Sequence, residues 1–403
     1  MLNPHQVLTL RESAPSDGGF RLDNLHIHKL PVAREFAFDE RTIVWEEEGA
    51  IEEFRPPSRI FGTPEDSSCL RGTGSGRLAV PSRRIHRVDR ARIIGWRTVL
   101  DENGRVGGAG LRNGDAFERL GVANRHNHEG FVLTDDGAAF FAGRPDAPRV
   151  YDRVALFIPY LEPGNHGAFL IRCLPLFLFL KEAQLPPFDV YVLPERTPAA
   201  LEAMRLLKLP DRPVYSVREV CGDIFRTIHF VHGEPEEGFF DARTKERLRR
   251  LAAGPEDAAR PARLYISRAL TGPSRPRVRQ LVNEGLIETM VTGLGFSIVH
   301  PEVHSLHEQM RIFAHARTIV GPSGSGMLNS IFSPPGTTVV DIESFSHTVR
   351  QHAKVYASTD KDYAFVFGNF VVPSDAPNWQ RPWTASRTLV REAIAWALDL
   401  ATA

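Results

Sequence analysis

The sequence is poor in cysteine and has no excess of charge of either sign. Its 403 residues include only Cys69, Cys173 and Cys221, which form no Cys-x-x-Cys pair. A disulfide framework or a zinc ribbon requires clustered cysteines, so neither is predicted. Lys and Arg total 49, and Asp and Glu also total 49. Because nucleic acids are bound through an excess of basic side chains, this balance predicts no nucleic-acid partner.

Long hydrophobic runs are also missing. The N-terminus lacks a basic segment followed by an apolar one, so no signal peptide is predicted. The most apolar stretch, Gly167 to Ala183, is interrupted by Arg172 and Pro175 and is shorter than the ~20 residues that span a bilayer. It is predicted to be a buried helix in a cytoplasmic protein. The alternative is a peripheral membrane protein, in which the exposed end of this helix contacts the inner face of the membrane.

Hydrophobic patterns divide the chain into four predicted regions. Residues 1–150 contain short β-like runs separated by turn signals such as DENG and TDDG, which predicts a β-rich region. In residues 151–253, and again in 254–372, strand-like and helix-like segments alternate, which is typical of parallel α/β sheets. A connector rich in Pro and Ala opens the second of these halves. Residues 373–403 are predicted to form a C-terminal helix that packs back on the fold.

The alternation also locates individual elements. Buried strands are predicted at 154–159, 189–194, 223–231, 263–267, 296–300, 318–320 and 337–342. Helices are predicted at 165–184, 197–209, 241–254, 278–292, 305–317, 325–332 and 385–400. In a doubly wound sheet built from such units, ligands bind beyond the carboxyl ends of the strands. We therefore expect the functional residues among those that follow the strands.

One strand of the second half is followed by a bare loop of Gly, Pro and Ser. Gly324 and Gly326 would let backbone N–H groups approach phosphate oxygens, and the dipole of the next helix favours an anion there. Ser323 and Ser325 carry hydroxyl donors. Arg268 follows a neighbouring strand and is suited to bind a phosphate through two parallel hydrogen bonds. The alternative is a tight strand-to-helix turn with Ser325 as the N-cap. The loop is not a Walker A motif, because no Gly-Lys-Ser/Thr follows.

Acidic side chains follow the same strands. Glu302 and Glu343 are candidates for binding ribose or sugar hydroxyls. Glu308 is a third candidate, but Ser305-x-x-Glu308 is also a capping box, which favours a structural role. Several histidines lie nearby, at 300, 304, 307 and 315. They share no predicted helix face with a carboxylate, so no metal site is predicted.

A series of short motifs between residues 263 and 344 occurs in a characteristic order. The motifs are Ser267-Arg268, Arg279, Asn283-Glu284, Gly295-Phe296, Pro301, Glu308-Gln309, Gly321-Pro322, Gly324, Gly326, Asn329 and the Pro-Pro-Gly-Thr turn at 334–337. This order resembles glycosyltransferase family 61, which includes bacterial capsular and exopolysaccharide transferases. The resemblance is faint over residues 150–185 and hardly extends to the first 150 residues.

The chain departs from the family pattern at several positions. Ser323 stands where the family has a His in the glycine loop. Ala168 and Phe169 replace a His-Trp pair, and Arg172 replaces an acidic residue. His166 lies two positions before Ala168 and is a candidate substitute for the missing imidazole.

The resemblance implies a GT-B-like α/β fold, in which two Rossmann-like domains face a cleft. It implies an inverting glycosyltransferase that needs neither a metal nor a cofactor. A nucleotide-sugar donor would bind the second half, and a glycan or polysaccharide acceptor the first, in surface or capsular polysaccharide biosynthesis. The residues expected to bind the donor are Arg268, Arg279, Glu302, Glu308, Ser323, Gly324, Ser325, Gly326 and Glu343.

An inverting reaction requires a base near the acceptor hydroxyl. His166 is the first candidate and Glu162 the second, and the alternative for His166 is a helix-start residue bonded to the backbone. Two other functions stay open. The departures favour a non-catalytic member that binds a nucleotide or a glycan within a polysaccharide-assembly system. A dinucleotide-dependent enzyme is the third hypothesis, although the chain lacks the Gly-x-Gly-x-x-Gly fingerprint in its proper context.

Overall fold

The computed structural model describes residues 26–31, 40–63, 70, 73–95, 98–108, 131–133, 138–143, 148–157, 164–232, 239–253, 260–270, 280–344, 349–371 and 381–402. These residues form a mixed α/β fold with parallel sheets, as the alternation of strands and helices predicted. The α-helices are α1 His166–Ala168, α2 Leu174–Glu182, α3 Pro198–Leu206, α4 Ala242–Ala252, α5 Glu284–Gly293, α6 Leu306–Ala314, α7 Val349–Ser358 and α8 Arg387–Thr402.

The strands of the N-terminal region are β1 His26–Pro31, β2 Ile43–Glu47, β3 Ala50–Phe54, β4 Arg59–Phe61, β5 Gly76–Val80, β6 Arg83–Ile94, β7 Thr98–Leu100, β8 Val106–Gly108, β9 Phe131–Leu133 and β10 Ala138–Gly143. Those that follow are β11 Val150–Leu156, β12 Val190–Leu193, β13 Val214–Ser216, β14 Ile224–His232, β15 Arg263–Ile266, β16 Ser297–Val299, β17 Thr318–Pro322, β18 Thr338–Glu343, β19 Asp362–Phe367, β20 Asn369–Phe370 and β21 Trp383–Thr384.

The first large sheet has the strand order β13-β12-β11-β14-β6-β7-β8, and β2 also pairs with β6. Strands β11 to β14 are parallel to their neighbours within this group. The N-terminal strands β6, β7 and β8 continue the sheet in antiparallel fashion from β14. The β-rich region therefore completes a sheet that the following α/β segment begins.

The second large sheet is parallel throughout, in the order β16-β15-β17-β18-β19-β4. Its edge strand β4 again comes from the N-terminal region and pairs with β19, with Ile60 opposite Phe365. Strands from residues 1–150 thus take part in both large sheets. The predicted domain boundaries stay a prediction, but they do not mark the limits of the sheets.

A shared apolar core lies between the two large sheets. Side chains alternate along each strand, so Ala155 and Phe157 face this core while Val154 and Leu156 face the opposite side of the first sheet. In the second sheet, Ile266 faces the shared core and Tyr265 faces α5 and α8 on the far side. Helices α2, α3, α4, α6 and α7 fill the space between the sheets.

Helix α2 carries the most apolar stretch of the sequence, and every residue from Leu174 to Leu180 is buried. The prediction of a buried helix is confirmed, and these apolar side chains are not exposed toward a membrane surface. A π-helical turn, Phe169–Cys173, joins α1 to α2. Pro175 lacks an N–H, so the normal i to i−4 bond is lost at this point, and the wider turn accommodates its ring. Within the described residues, no helix is both long and apolar enough to cross a membrane.

Several boundaries differ from the sequence predictions. The segment predicted as a helix at 325–332 is a 3-10 helix, Met327–Phe332. Helix α5 begins at Glu284 rather than at residue 278. Helix α7 and strand β19 were not predicted from the sequence, although both are part of the second half.

A buried ion network joins the N-terminal strands to the helices of the shared core. The Glu47 carboxylate on β2 accepts hydrogen bonds from Arg83 on β6 at 3.0 Å and from Arg247 on α4 at 2.7 Å. Asp241, which caps α4, also accepts from Arg83, at 3.1 Å. All four side chains are less than a tenth exposed. Each of these buried charges therefore depends on its partners for compensation.

We expect Glu47→Ala to lower the free energy of unfolding by about 3 kcal/mol or more, because it leaves buried guanidinium groups under-compensated. The adjacent Glu46 is the matched control, since it pairs with Arg84 at 2.8 Å on the surface. Glu46→Ala should cost about 1 kcal/mol or less. Urea unfolding of both variants measures the difference, and equal losses would contradict the importance of the network.

Candidate functional site

The glycine loop connects the carboxyl end of β17 to the 3-10 helix Met327–Phe332. Its first residue, Ser323, donates its backbone N–H to Ile342 of the neighbouring strand β18, at 2.8 Å. The carbonyls of Gly324, Ser325 and Gly326 accept the first N–H groups of the 3-10 helix, at 3.0 to 3.3 Å. The N–H groups of these three residues have no acceptor within the described part of the chain. Three adjacent donors at a strand end and helix start are suited to an anion.

Close packing, rather than a left-handed backbone, requires the glycines. A Cβ on Gly321 would lie 2.7 Å from the carbonyl oxygen of Ile266, and a Cβ on Gly326 would lie 3.1 Å from the Cγ2 atom of that residue. A Cβ on Gly324 would instead lie 3.1 Å from Nη1 of Arg268. Gly321 and Gly326 thus serve the fold, whereas Gly324 admits a guanidinium.

The interpretation of Ser325 as the N-cap is wrong. The N-cap position is Gly326, with φ of −63°, and no side chain caps this helix. The hydroxyl of Ser325 donates to Oδ1 of Asn165, at 2.9 Å, in the other half of the chain. The competing acceptor on a distant element explains why the local capping rule fails here.

Arg268 supplies a fixed positive charge at the loop. It follows β15 directly, and its Nη1 donates to the carbonyl oxygen of Ser323 at 2.6 Å. Its backbone N–H donates to Oε1 of Glu284 at 2.8 Å. The structure therefore brings together Arg268 and the loop residues that the sequence analysis proposed for a phosphate.

Glu284 differs from the other acidic residues of the site in its raised pKa. In the sequence it was noted only as part of a family motif. Burial raises the pKa of Glu284 to about 6, the hydrogen bond from the Arg268 N–H opposes this, and repulsion from Glu288 adds to it. The nearby Glu302 also raises the pKa of Glu284. A carboxyl that titrates near neutral pH beside a conformationally fixed arginine marks this strand end as electrostatically unusual.

The first half of the chain meets the loop at the start of α1. Asn165 caps this helix, and its Oδ1 accepts from the N–H groups of Gly167 at 2.8 Å and Ala168 at 3.2 Å. The same oxygen accepts from Ser325. A Cβ on Gly167 would lie 2.8 Å from Leu328, so the two halves approach here as closely as a glycine permits.

His166, the first candidate base, lies at this junction. Its Nε2 is 3.3 Å from Oδ1 of Asn329, which belongs to the 3-10 helix after the loop. Burial lowers the pKa of His166, and the neighbouring carboxamides of Asn329 and Gln309 oppose the shift. Burial therefore favours the uncharged imidazole, the form that a general base requires.

A buried polar cluster lies under the loop, and sequence reasoning missed it. Oδ2 of Asp341 on β18 is 2.6 Å from Nδ1 of His352 and accepts from the hydroxyl of Tyr356 at 2.6 Å. The hydroxyl of Ser323 lies 3.4 Å from the same His352 nitrogen. An imidazole thus lies beside Ser323, the position at which the family pattern has its own His. The sequence contains one signal for this cluster, because His352 and Tyr356 are four residues apart and therefore share one face of a helix.

The remaining predicted residues lie in different surroundings. Glu302 is exposed in the turn after β16. The Glu308 N–H donates to the Ser305 hydroxyl, which is one half of the capping box, but the Glu308 carboxylate pairs with Arg260 at 2.8 Å. Glu343 is buried at the end of β18, and its carboxylate accepts from the Ser344 N–H at 2.7 Å. Two further predicted residues, Glu162 and Arg279, lie outside the described residues.

The two positions that replace the family His-Trp pair differ in exposure. Ala168 is half-buried, whereas Phe169 is 5% exposed and packs edge-on against Phe177 in the shared core. No group of three or more His, Cys, Asp or Glu side chains that would hold a metal ion occurs among the described residues. Independence from metal stays a prediction.

Part of the chain that includes this site matches the model of a known protein family. Residues 166–340 match the family model of Glycosyltransferase 61. This match, over less than half of the chain, confirms the resemblance carried by the motifs. The match begins at His166 and includes the glycine loop, while α7 with His352 lies beyond it. A search of curated proteins found no match.

The packing of the glycines predicts two different effects of adding a methyl group. Gly321→Ala should lower the free energy of unfolding by about 1–3 kcal/mol, because the new Cβ meets backbone that cannot move aside. Gly324→Ala should leave stability nearly unchanged and displace Arg268, which weakens nucleoside diphosphate binding by roughly threefold to tenfold. Urea unfolding and calorimetric titration with nucleoside diphosphates measure the two effects. The same loss of stability in both variants would contradict this division of roles.

The raised pKa of Glu284 predicts a pH-dependent gain on substitution. Its pKa is about 6 in the folded chain against a reference of 4.5, so the folded state binds more protons in this window and stability falls as the pH rises through it. Glu284→Gln keeps an oxygen acceptor for Arg268 and removes the cost of ionisation. We expect a gain of about 1–2 kcal/mol at pH 7–8 and none near pH 4.

Urea unfolding at both pH values checks this expectation for Glu284. The exposed Glu246, which pairs with Arg250 one turn away, provides the control substitution Glu246→Gln. A gain of equal size at both pH values would show that ionisation of Glu284 is not its cause.

Proposed function

We propose that this chain is an inverting glycosyltransferase with a GT-B-like arrangement. It transfers a sugar from a nucleotide-sugar donor to a glycan or polysaccharide acceptor, in surface or capsular polysaccharide biosynthesis in the cytoplasm. The family assignment supports a transferase with a donor and an acceptor. The observation that carries the finer proposal is the junction at which the glycine loop of one half contacts the His166 helix of the other.

The donor diphosphate binds at the glycine loop in this proposal. The N–H groups of Gly324, Ser325 and Gly326 and the charge of Arg268 would stabilise the phosphate oxygens as the diphosphate leaves. Ser323 contributes indirectly, because its carbonyl oxygen holds the Arg268 guanidinium. The exposed Glu302 is the acidic residue proposed to bind a hydroxyl of the donor, since it lies near Glu284, whose carboxylate accepts from the Arg268 N–H.

The acceptor hydroxyl is activated by His166 in this proposal. Burial lowers the pKa of His166 and so favours the uncharged imidazole. It lies 3.3 Å from Oδ1 of Asn329, on the helix that follows the diphosphate loop, which supports a base close to the donor. No metal and no cofactor are assigned a role, since Arg268 and the loop donors supply positive charge.

A second function is supported by the departures from the family pattern. Ser323 and Ala168 lack the imidazoles of the family motifs, and Ser325 is hydrogen-bonded to Asn165. A non-catalytic member that binds a nucleotide or a glycan would tolerate these changes. Incubation with a panel of nucleotide sugars separates the two functions. Release of nucleoside diphosphate supports transfer, whereas a rise in Tm without turnover supports binding alone.

Arg268→Ala provides the sharpest test of the donor site. Loss of a charge-assisted contact should weaken nucleoside diphosphate binding about tenfold to a hundredfold. Arg226→Ala is the matched control, because Arg226 is 71% exposed and pairs with the exposed Asp152. Calorimetric titration and kcat/KM should both fall in the first variant and stay constant in the second. Equal affinity in the two variants would remove Arg268 from the donor site.

A further inference from the structure

Asn329 lies where the two halves meet and has its carboxamide held in one orientation. Its side chain is fully buried, and its Nδ2 donates to the carbonyl oxygen of Gly326 at 3.1 Å. Because the nitrogen is committed as the donor, the other atom of the carboxamide, Oδ1, is an acceptor. This oxygen is 3.3 Å from Nε2 of His166.

An acceptor at Nε2 determines which nitrogen of the imidazole carries the proton. A neutral imidazole has one N–H group and one lone pair. Since Oδ1 of Asn329 has no hydrogen to donate, the hydrogen bond requires the proton on Nε2 of His166. The lone pair is then on Nδ1.

We propose that Asn329 is a positioning residue that holds His166 in its Nε2–H tautomer and leaves Nδ1 as the nitrogen that accepts the proton of the acceptor hydroxyl. This inference rests on the proposed function. In the step, the acceptor oxygen forms a bond to the anomeric carbon of the donor sugar. The bond from that carbon to the diphosphate breaks with its electron pair on the leaving oxygen, and the proton of the hydroxyl moves to Nδ1.

The surroundings of His166 favour an uncharged imidazole. The side chains that face it are Asn329 from the 3-10 helix and Gln309 from α6, and both are neutral. Within the described residues, no charged side chain contributes to the shift of its pKa. Gln309 is 6% exposed, its Nε2 donates to the carbonyl oxygen of His304 at 3.0 Å, and its Oε1 has no partner among these residues. The hydrogen bond to Asn329 thus orients the ring, and no carboxylate among the groups that shift its pKa competes for the proton.

The same short segment contacts both the helix cap and the imidazole. Ser325 donates to Asn165, which caps α1, and Asn329, four residues later, accepts from His166. Because Ser325 also belongs to the diphosphate loop, a donor that orders the loop would at the same time fix the position of the imidazole. Asn329 thus positions His166 from the segment that directly follows the diphosphate loop.

Asn329→Asp tests the proposal through the pKa of His166. A carboxylate at the position of Oδ1 favours the protonated imidazole and should raise its pKa by ~1–3. The acidic limb of the pH dependence of kcat/KM should then move to higher pH by about one unit or more. Asn329→Ser removes the acceptor and should lower kcat about tenfold or more, with the affinity for nucleoside diphosphate within about twofold of wild type. Ser330→Ala is the matched control, because Ser330 is equally buried on the same helix and its hydroxyl has no partner among the described residues.

Nitrogen-15 NMR of histidine-labelled protein gives a readout that does not need turnover. The His166 signals are assigned by their loss in His166→Gln, and the expected pattern is a protonated Nε2 and an unprotonated Nδ1. A titration in the Asn329→Asp variant should show the raised pKa directly. A protonated Nδ1 in the wild-type protein, or an unchanged His166 pKa in folded Asn329→Asp, overturns the inference.

These outcomes separate this inference from the proposed function. If His166→Gln turns over as fast as wild type, the proposed base is wrong, whatever the tautomer. If His166→Gln is inactive but Asn329→Asp has an unshifted pH profile and NMR titration, the base stands and the role of Asn329 falls. Circular dichroism and Tm of each variant confirm that the chain remains folded.

Discussion

The apolar core shared by the two large sheets is the constraint on which the rest of the structure depends. Alternating side chains such as Phe157 and Ile266 direct one face of each sheet into a common layer of helices. Burial of apolar surface at ~25 cal/mol per Å² makes this layer the main source of stability, and it leaves little freedom in the distance between the sheets. That fixed distance brings Gly167 and Leu328, which belong to different halves, so close at the site that a side chain at position 167 would clash with Leu328.

Much of the second half could be predicted from the sequence because its signals are local. Continuous apolar runs mark β15, β17 and β18, and the residue after each strand reaches the same edge of a parallel sheet, which placed Arg268 beside the glycine loop. The order of motifs then identified the family that the comparison confirmed. The position of Arg268 beside the glycine loop therefore followed from strand ends, without knowledge of any contact.

The features that escaped prediction depend on contacts between distant segments. His352 follows no motif and gains its partners only because α7 packs against Asp341 at the end of β18. The sequence around Ser325 predicts a helix N-cap, but the Ser325 hydroxyl donates instead to Asn165, 160 residues earlier. Apolar and polar residues alternate too weakly in the N-terminal strands to predict which strands they pair with. The pairing of an edge strand depends on the neighbouring strand more than on its own sequence pattern.

The second sheet is complete only when β4 pairs with β19, which lies far away in the sequence. Strand β4 lies at the edge of the second sheet, beside β19, and the Tyr363 hydroxyl donates to the carbonyl oxygen of Arg55 across 308 residues of chain. Contacts of such separation slow folding, because the closure of a long loop precedes the gain from the contact. Because β4 precedes β19 in the chain, it has no partner strand until β19 is synthesised, and its unpaired edge favours association with other chains during that interval.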